Sequence, residues 1–265
     1  MSSRPRTFRS EAIILSRSDF GEADRLLVIL TPEHGKLRAI AKGARKPLAR
    51  KSGHVELFAR TDLLLHRGRD LLIVSQAEMT EPYLPLREDL TRAAYANYVA
   101  ELLDSFTTDE DGGESAALFD LLDATLRRLC GESDLRIVAR HYEMRLLDLV
   151  GFRPEMTACV YCGEAISPQD QFFSAAEGGV VCPVCGAQHV EVVVPISQHG
   201  LHALRVLQRE SWAHVRALKL NTPLHLEIER VMLGYLIALL ERRLQSAAFI
   251  RRLRAEGRQH PKEAS

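Results

Sequence analysis

The chain has 265 residues, of which 46% are hydrophobic and 26% charged, with 35 Lys and Arg balancing 35 Asp and Glu. Such a length holds about two domains, and such a composition excludes wholesale disorder and fibrous repeats. The zero net charge conceals a segregation: residues 1–80 carry +6, residues 81–155 carry −8 and residues 156–265 carry +2, as expected of domains with different partners.

The opening stretch, MSSRPRTFRSEAIILS, has arginines but neither an adequate apolar run nor a small-residue cleavage site, so no secretory signal is expected. A cytoplasmic location follows, where thiols are usually reduced. Between Phe8 and Thr80 come five short apolar segments, AIILS, DRLLVILT, KLRAIAKG, VELFARTDLLLH and DLLIVSQAEM, separated by turn-forming residues. They predict a small antiparallel β-domain, most simply closed as a five-stranded barrel because closure removes exposed edges.

After Pro82 and Pro85 the apolar period becomes helical. Leu90, Ala94, Tyr98, Leu102 and Phe106 form one stripe, and Leu118, Leu121, Leu122, Leu126 and Leu129 another, with TTDEDGGE between them. Further helices are predicted near Leu135 to Val150, Ser197 to Ser211 and Pro223 to Leu244, the last with Thr222 as cap and Pro223 at its first position. The run Val231 to Leu240 is flanked by charges and is half of the roughly 20 residues a membrane span needs, so it reads as a buried helix. From Arg251 to Ser265 the pattern fades, and a disordered tail is expected.

Two C-x2-C pairs, Cys159/Cys162 and Cys182/Cys185, stand 19 residues apart, within the spacing of zinc sites. Two intervening residues let both thiolates point inward from one turn, and Gly163 and Gly186 follow the pairs with the permissive backbone such turns use. Four cysteines fill the zinc shell and leave no open position for water or substrate, so one structural Zn2+ is expected. A pair of redox dithiols is the competing reading, although no βαβ pattern surrounds them. His189 and His199 are nearby but surplus to a complete ligand set, and Cys130 reads as a small buried residue.

The second distinctive stretch, KLRAIAKGARKPLARK, holds Lys36, Arg38, Lys42, Arg45, Lys46, Arg50 and Lys51 and no acid. A strand would place Lys36 and Arg38 on one face and lead into a basic loop, an arrangement suited to tracking a phosphate backbone. Phe8, Phe20 and Phe58 are candidate stacking platforms for a single strand. Motifs for P-loops, dinucleotide folds, nucleophile elbows and H-E-x-x-H zincins are missing, so binding is favoured over catalysis, with a protein-only adaptor as a further alternative.

The order of these features resembles the bacterial recombination-repair family RecO. EAIILSRSDFGEADRLLVILTPEHGKLRAIAKGARK is similar to its opening strands and basic segment, and LLDLVGFRPEMTACVYCGE with FSAAEGGVVCPVCG to its zinc-bearing members. The resemblance implies an α+β chain: an N-terminal OB-fold over residues 1–80, then a helical domain over 81–250 with the zinc module at about 156–194, and the tail 251–265. It also implies a non-catalytic mediator, associated with the nucleoid, that binds single- and double-stranded DNA and anneals strands coated with single-strand binding protein (SSB). The implied partners are the SSB C-terminal tail, RecR and, in many bacteria, RecF, acting together to load RecA.

Overall fold

The computed structural model describes residues 6–46, 52–69, 71–109, 113–189, 193–242 and 244–259. The chain divides into two compact units, Met1–Glu132 with Ser246–Ser265, and Ser133–Gln245.

The first unit opens with five strands, β1 (Thr7–Phe20), β2 (Asp24–Thr31), β3 (Gly35–Ala41), β4 (Arg60–Arg67) and β5 (Leu72–Glu81), closed into a barrel in the order β1-β2-β3-β5-β4. Neighbours run antiparallel except at the seam, where β3 and β5 are parallel and pair only at Ala39↔Leu72 and Ile40↔Ile73. The first half of β1 pairs with β4 and the second with β2, the change marked by a register shift between Ile14 and Ser16. An extra residue there bends the strand, which is how one long strand serves both sides of a small barrel.

Alternate residues fill the interior: Ala12 and Ile14, Leu27 and Ile29, Leu37, Ala39 and Ala41, Leu63 and Leu65, with Val55 and Val74. The small alanines of β3 suit the narrow space inside five strands. Ile13, Leu15, Leu30 and Ile40, on the opposite face, are buried as well. Helices cover that face, which explains why AIIL and LLVIL read as continuous apolar runs. The segment from Val55 does not begin β4 as its composition suggests. Ser52–His54 forms a 3-10 turn, Phe58 takes a left-handed φ of 64°, and β4 starts only at Arg60.

Three helices follow: α1 (Pro85–Glu88), α2 (Leu90–Phe106) and α3 (Ser115–Gly131). The Asp89 carboxylate caps α2 by accepting from the N–H groups of Thr91 and Arg92 at 2.8 and 3.0 Å. Ala94, Tyr98 and Leu102 of the α2 stripe are buried, whereas Leu90 is exposed. Both α2 and α3 pack on the barrel, so the compact unit continues well beyond the change of periodicity at Pro82. Periodicity marks a change of secondary structure; the amphipathic helices still need an apolar surface, and the barrel's outer face provides one.

The second unit comprises α4 (Leu135–Leu149), the strands β6 (Gln171–Ser174) and β7 (Gly179–Val181), α5 (Pro183–Gln188), β8 (Val193–Ile196), α6 (Gln198–Arg209), α7 (Trp212–Arg216) and α8 (Thr222–Leu240). Its strands form a sheet in the order β7-β6-β8, and α4, α6 and α8 pack on one another. The cap of α8 is Asn221, whose side chain accepts from Leu224 N–H at 3.0 Å, rather than Thr222. No helix among the described residues is long and apolar enough to cross a membrane.

The last helix, α9 (Gln245–Gln259), belongs to the first unit from Ser246 onward and corrects the expectation of a disordered tail as far as Gln259. Ala247 and Ile250 are buried, and the Glu101 carboxylate accepts from Ser246 N–H at 2.9 Å at the helix start. An anchored N-terminus lets arginines, good helix formers, continue the helix where the apolar pattern thins.

Candidate metal centre and nucleic-acid interface

In the second unit the four cysteines of the two pairs converge. The sulfurs of Cys159, Cys162, Cys182 and Cys185 all lie within 4.8 Å of one another, and those of Cys162 and Cys182 are 3.8 Å apart. Four ligands at about 2.3 Å around a tetrahedral zinc stand about 3.8 Å from each other. The donor set therefore fits a single tetrahedral cation.

The two halves are built alike. Gly163 N–H donates to Cys159 O at 2.8 Å, and Gly186 N–H to Cys182 O at 2.8 Å, so each pair closes one tight turn. Gly163 has the left-handed φ of 77° that its role requires. Gly186 is needed for another reason: a Cβ there would lie 2.2 Å from the Phe172 ring.

Backbone donors aim at the sulfurs, with Cys182 N–H 3.3 Å from Cys159 Sγ and Cys185 N–H 3.5 Å from Cys182 Sγ. Although desolvation opposes it, the N–H groups of Cys182, Cys162 and Tyr161 bring the Cys159 thiol down to about 6. Desolvation and the neighbouring sulfurs push Cys185 up to about 12. Four thiolates this close repel one another, and a bound cation is what allows all of them to ionise. His189 stacks on Tyr161 at 4.2 Å between ring centroids, His199 is exposed, and Cys130 lies apart on α3.

The basic stretch in the first unit separates into different roles. Lys36 is 6% exposed and is withdrawn from the DNA-contacting set, because its ammonium donates to Asp104 O at 2.8 Å, Asp104 Oδ1 at 2.9 Å and Thr107 O at 2.6 Å. These acceptors end α2, where carbonyls lack helical partners and a cation is favoured. Arg38 is half exposed, and its Nε donates to Asp109 Oδ2 at 2.7 Å.

Beyond β3 the chain turns tightly. Gly43, at a φ of 68°, donates its N–H to Asp24 Oδ1 at 2.7 Å, and Lys46 N–H donates to Gly43 O at 3.1 Å. Arg45 fastens this turn to the β1–β2 turn through Asp19 at 3.2 Å and the carbonyls of Gly21 and Glu22 at 3.3 and 3.4 Å. Lys42 and Lys46 are exposed and form no ion pair with any described residue. Arg50 and Lys51 lie outside the described residues.

Of the three candidate aromatic platforms, Phe20 is 48% exposed and ends β1 beside the turn that Arg45 grips. Phe58 is buried in the core and is corrected from platform to packing residue, while Phe8 is partly buried under Arg67. One end of the barrel thus gathers Lys42, Arg45, Lys46 and Phe20: exposed cations, an anchored guanidinium and an exposed ring. Arg67 and Arg69 flank Gly68 at the β4–β5 turn, which in the sequence shows only as a break between two apolar segments. The parallel seam brings that turn beside β3, and recognising the strand order would have exposed it.

The segregation of charge also has a local cause. Asp104 and Asp109 pair with Lys36 and Arg38, and Asp123 pairs with Arg60 at 3.0 Å. Arg60 additionally grips Glu11 through two 2.7 Å hydrogen bonds, and Arg127 reaches Asp123 and Glu81 at 3.0 Å. Asp104, Asp109 and Asp123 of the acidic segment thus neutralise cations of the basic one within a single compact unit. Although burial opposes it, donors from Tyr83, Arg127 and Arg60 hold the Asp123 carboxyl below its ordinary range.

The chain thus joins a closed five-stranded barrel of OB type to a helical unit whose four clustered cysteines could hold a metal ion. Residues 1–83 match the model described as "Recombination protein O N terminal", and residues 87–248 match "Recombination protein O C terminal". A "DNA repair protein RecO" of Roseiflexus sp. is 39% identical over 247 residues, covering 93% of this chain and 86% of the relative. Its namesake in Moorella thermoacetica is 39% identical over 248 residues, covering 93% and 91%. The chain belongs to the RecO family of DNA repair proteins.

Proposed function

We propose that this chain is a recombination mediator that binds single- and double-stranded DNA at the β3 end of its barrel and anneals complementary strands coated with SSB. Arg38, Lys42, Arg45 and Lys46 supply the phosphate contacts, with Arg50 and Lys51 continuing the basic sequence. The observation carrying this reading is the exposed pair Lys42 and Lys46 beside Phe20 on an OB-type barrel. Cations lower the repulsion between two polyanions, and stacking on a ring is indifferent to base identity, which suits annealing of any sequence.

In this reading the chain catalyses no turnover of a small substrate. The helical domain takes the SSB C-terminal tail, RecR and RecF are its partners in loading RecA, and it works in the cytoplasm on the nucleoid. The metal is one Zn2+ with a structural role, supported by four sulfurs that meet as one cluster rather than as two separate dithiols.

Annealing of SSB-coated complementary oligonucleotides tests the reading. The folded protein is expected to accelerate duplex formation at low salt, and Lys42→Glu/Lys46→Glu to remove most of the acceleration. A folded protein that leaves the annealing rate unchanged would favour an adaptor that binds only proteins. Metal analysis with thiol titration addresses the cysteines, where a reversible disulfide pair in place of one tightly held zinc would favour redox chemistry.

A further inference from the structure

The parallel seam of the barrel leaves a notch that the exposed turn does not account for. β3 meets β5 at only two residue pairs, and towards the start of β3 the strands part. The resulting cavity, about 240 Å3, is lined by Leu37 and Arg38 of β3, by the β4–β5 turn with Arg67 and Arg69, and by Asp109. Its described rim therefore presents three guanidiniums and a single carboxylate over an apolar floor that includes Leu72.

The arginines are positioned by a constructed turn. Gly68 N–H donates to Leu71 O at 3.0 Å, and a Cβ at Gly68 would lie 2.4 Å from that oxygen, so only glycine fits between the two arginines. The Arg67 guanidinium rests over the Phe8 ring at 5.8 Å from its centroid, and Phe8 meets His34 edge-on at 4.7 Å.

Asp109 comes from the acidic stretch after α2, where it forms a parallel bridge with Lys36. Its carboxylate receives the Arg38 Nε–H at 2.7 Å and sits 3.8 Å from the Lys36 ammonium. A carboxylate held by arginine in this way occupies the place that a phosphate oxygen would take, since guanidinium forks bind both anions.

We propose that the notch formed by Arg38, Arg67 and Arg69 is a phosphate-binding subsite for a nucleic-acid strand, and that Asp109 is an internal anion which the phosphate displaces. The inference rests on the barrel being the DNA-binding domain, and it adds a second phosphate contact with built-in competition. Along an extended chain Arg38 and Lys42 are about 13 Å apart, so one strand can engage notch and turn together.

The test is a fluorescence anisotropy titration of the full chain with a labelled single-stranded oligonucleotide, made with and without a 5′-phosphate. Asp109→Asn keeps an acceptor for Arg38 but removes the charge, and Lys36 retains Asp104 and Thr107. Affinity is expected to rise about two- to fivefold, the scale of an exposed ion pair; Asp109→Ser is a second variant with the same readout. Arg67→Ala/Arg69→Ala is expected to weaken binding and to make the salt slope shallower by about 1.4, or 0.7 per lost contact. In that background Asp109→Asn should have a smaller effect.

A gain on both oligonucleotides assigns the notch to backbone phosphates, and a gain confined to the phosphorylated one assigns it to strand ends. Unchanged affinity in both Asp109 variants and in Arg67→Ala/Arg69→Ala, with melting preserved, overturns the notch. If Lys42→Glu/Lys46→Glu still weakens binding in that case, the barrel remains the DNA-binding domain; if it does not, both readings fall.

Discussion

The cysteine module and the basic strand were the two conspicuous features of the sequence, and they came through folding differently. All four cysteines meet at one point, as their spacing required. Of the seven cations between Lys36 and Lys51, the five among the described residues do not act as a group: Lys36 is enclosed, Arg38 and Arg45 are paired, and Lys42 and Lys46 reach solvent. Ligand spacing within a pair is a local property of the backbone, so it can be read from sequence. The fate of a cation depends on partners far along the chain, 68 residues away for Lys36 and Asp104, and sequence does not reveal them.

The largest effect should come from the cysteines. A structural zinc as proposed would couple about 10 kcal/mol or more to local folding, so on that proposal Cys159→Ser or a strong chelator lowers metal content and opens the module around the four cysteines. Metal content and limited proteolysis report this, and a module that stays protease-resistant without metal would show that its small cluster of Val181, Val193 and Phe172 suffices.

Asp123 comes next, because three donors from separate elements converge on it. Asp123→Asn should cost about 2 kcal/mol in denaturant unfolding by weakening the pairs with Arg60 and Arg127. The pH dependence has a definite sign. A carboxyl whose folded pKa is depressed contributes stability above its unfolded pKa, near 3.9, and that contribution is lost as pH falls through the folded value. Acid unfolding of the wild type should therefore lose a component at low pH that Asp123→Asn lacks.

Lys36 and Lys42 offer a sharper contrast, since they have the same side chain six positions apart. Lys36→Met leaves carbonyls and a carboxylate at the end of α2 without their donor and should cost about 1–3 kcal/mol. Lys42→Met should change stability by less than about 0.5 kcal/mol yet weaken DNA binding. Equal stability effects in the two variants would mean that the enclosure of Lys36 has no energetic consequence.

Much of the barrel was legible because its apolar segments are short and punctuated by turns. The parallel seam and the late start of β4 were not, since pairing direction is set by tertiary closure and Phe58 adopts a backbone angle unusual for its type. The α2 and α3 stripes were readable, but their attachment to the barrel was not, because an apolar stripe does not name its partner. The turn holding Arg67 and Arg69 was visible only as a turn. Its value as a site came from the strand order that sets it beside Arg38 and Asp109.

The central claim is that exposed cations at the β3 end of the barrel hold the DNA backbone, and the salt dependence of oligonucleotide binding tests it most directly. Each phosphate contact to a single strand contributes about 0.7 to the slope of log affinity against log salt. Lys42→Ala/Lys46→Ala should make that slope shallower by about 1.4 and leave the melting temperature unchanged. A slope identical to that of the wild type would contradict the claim and place the DNA elsewhere on the chain.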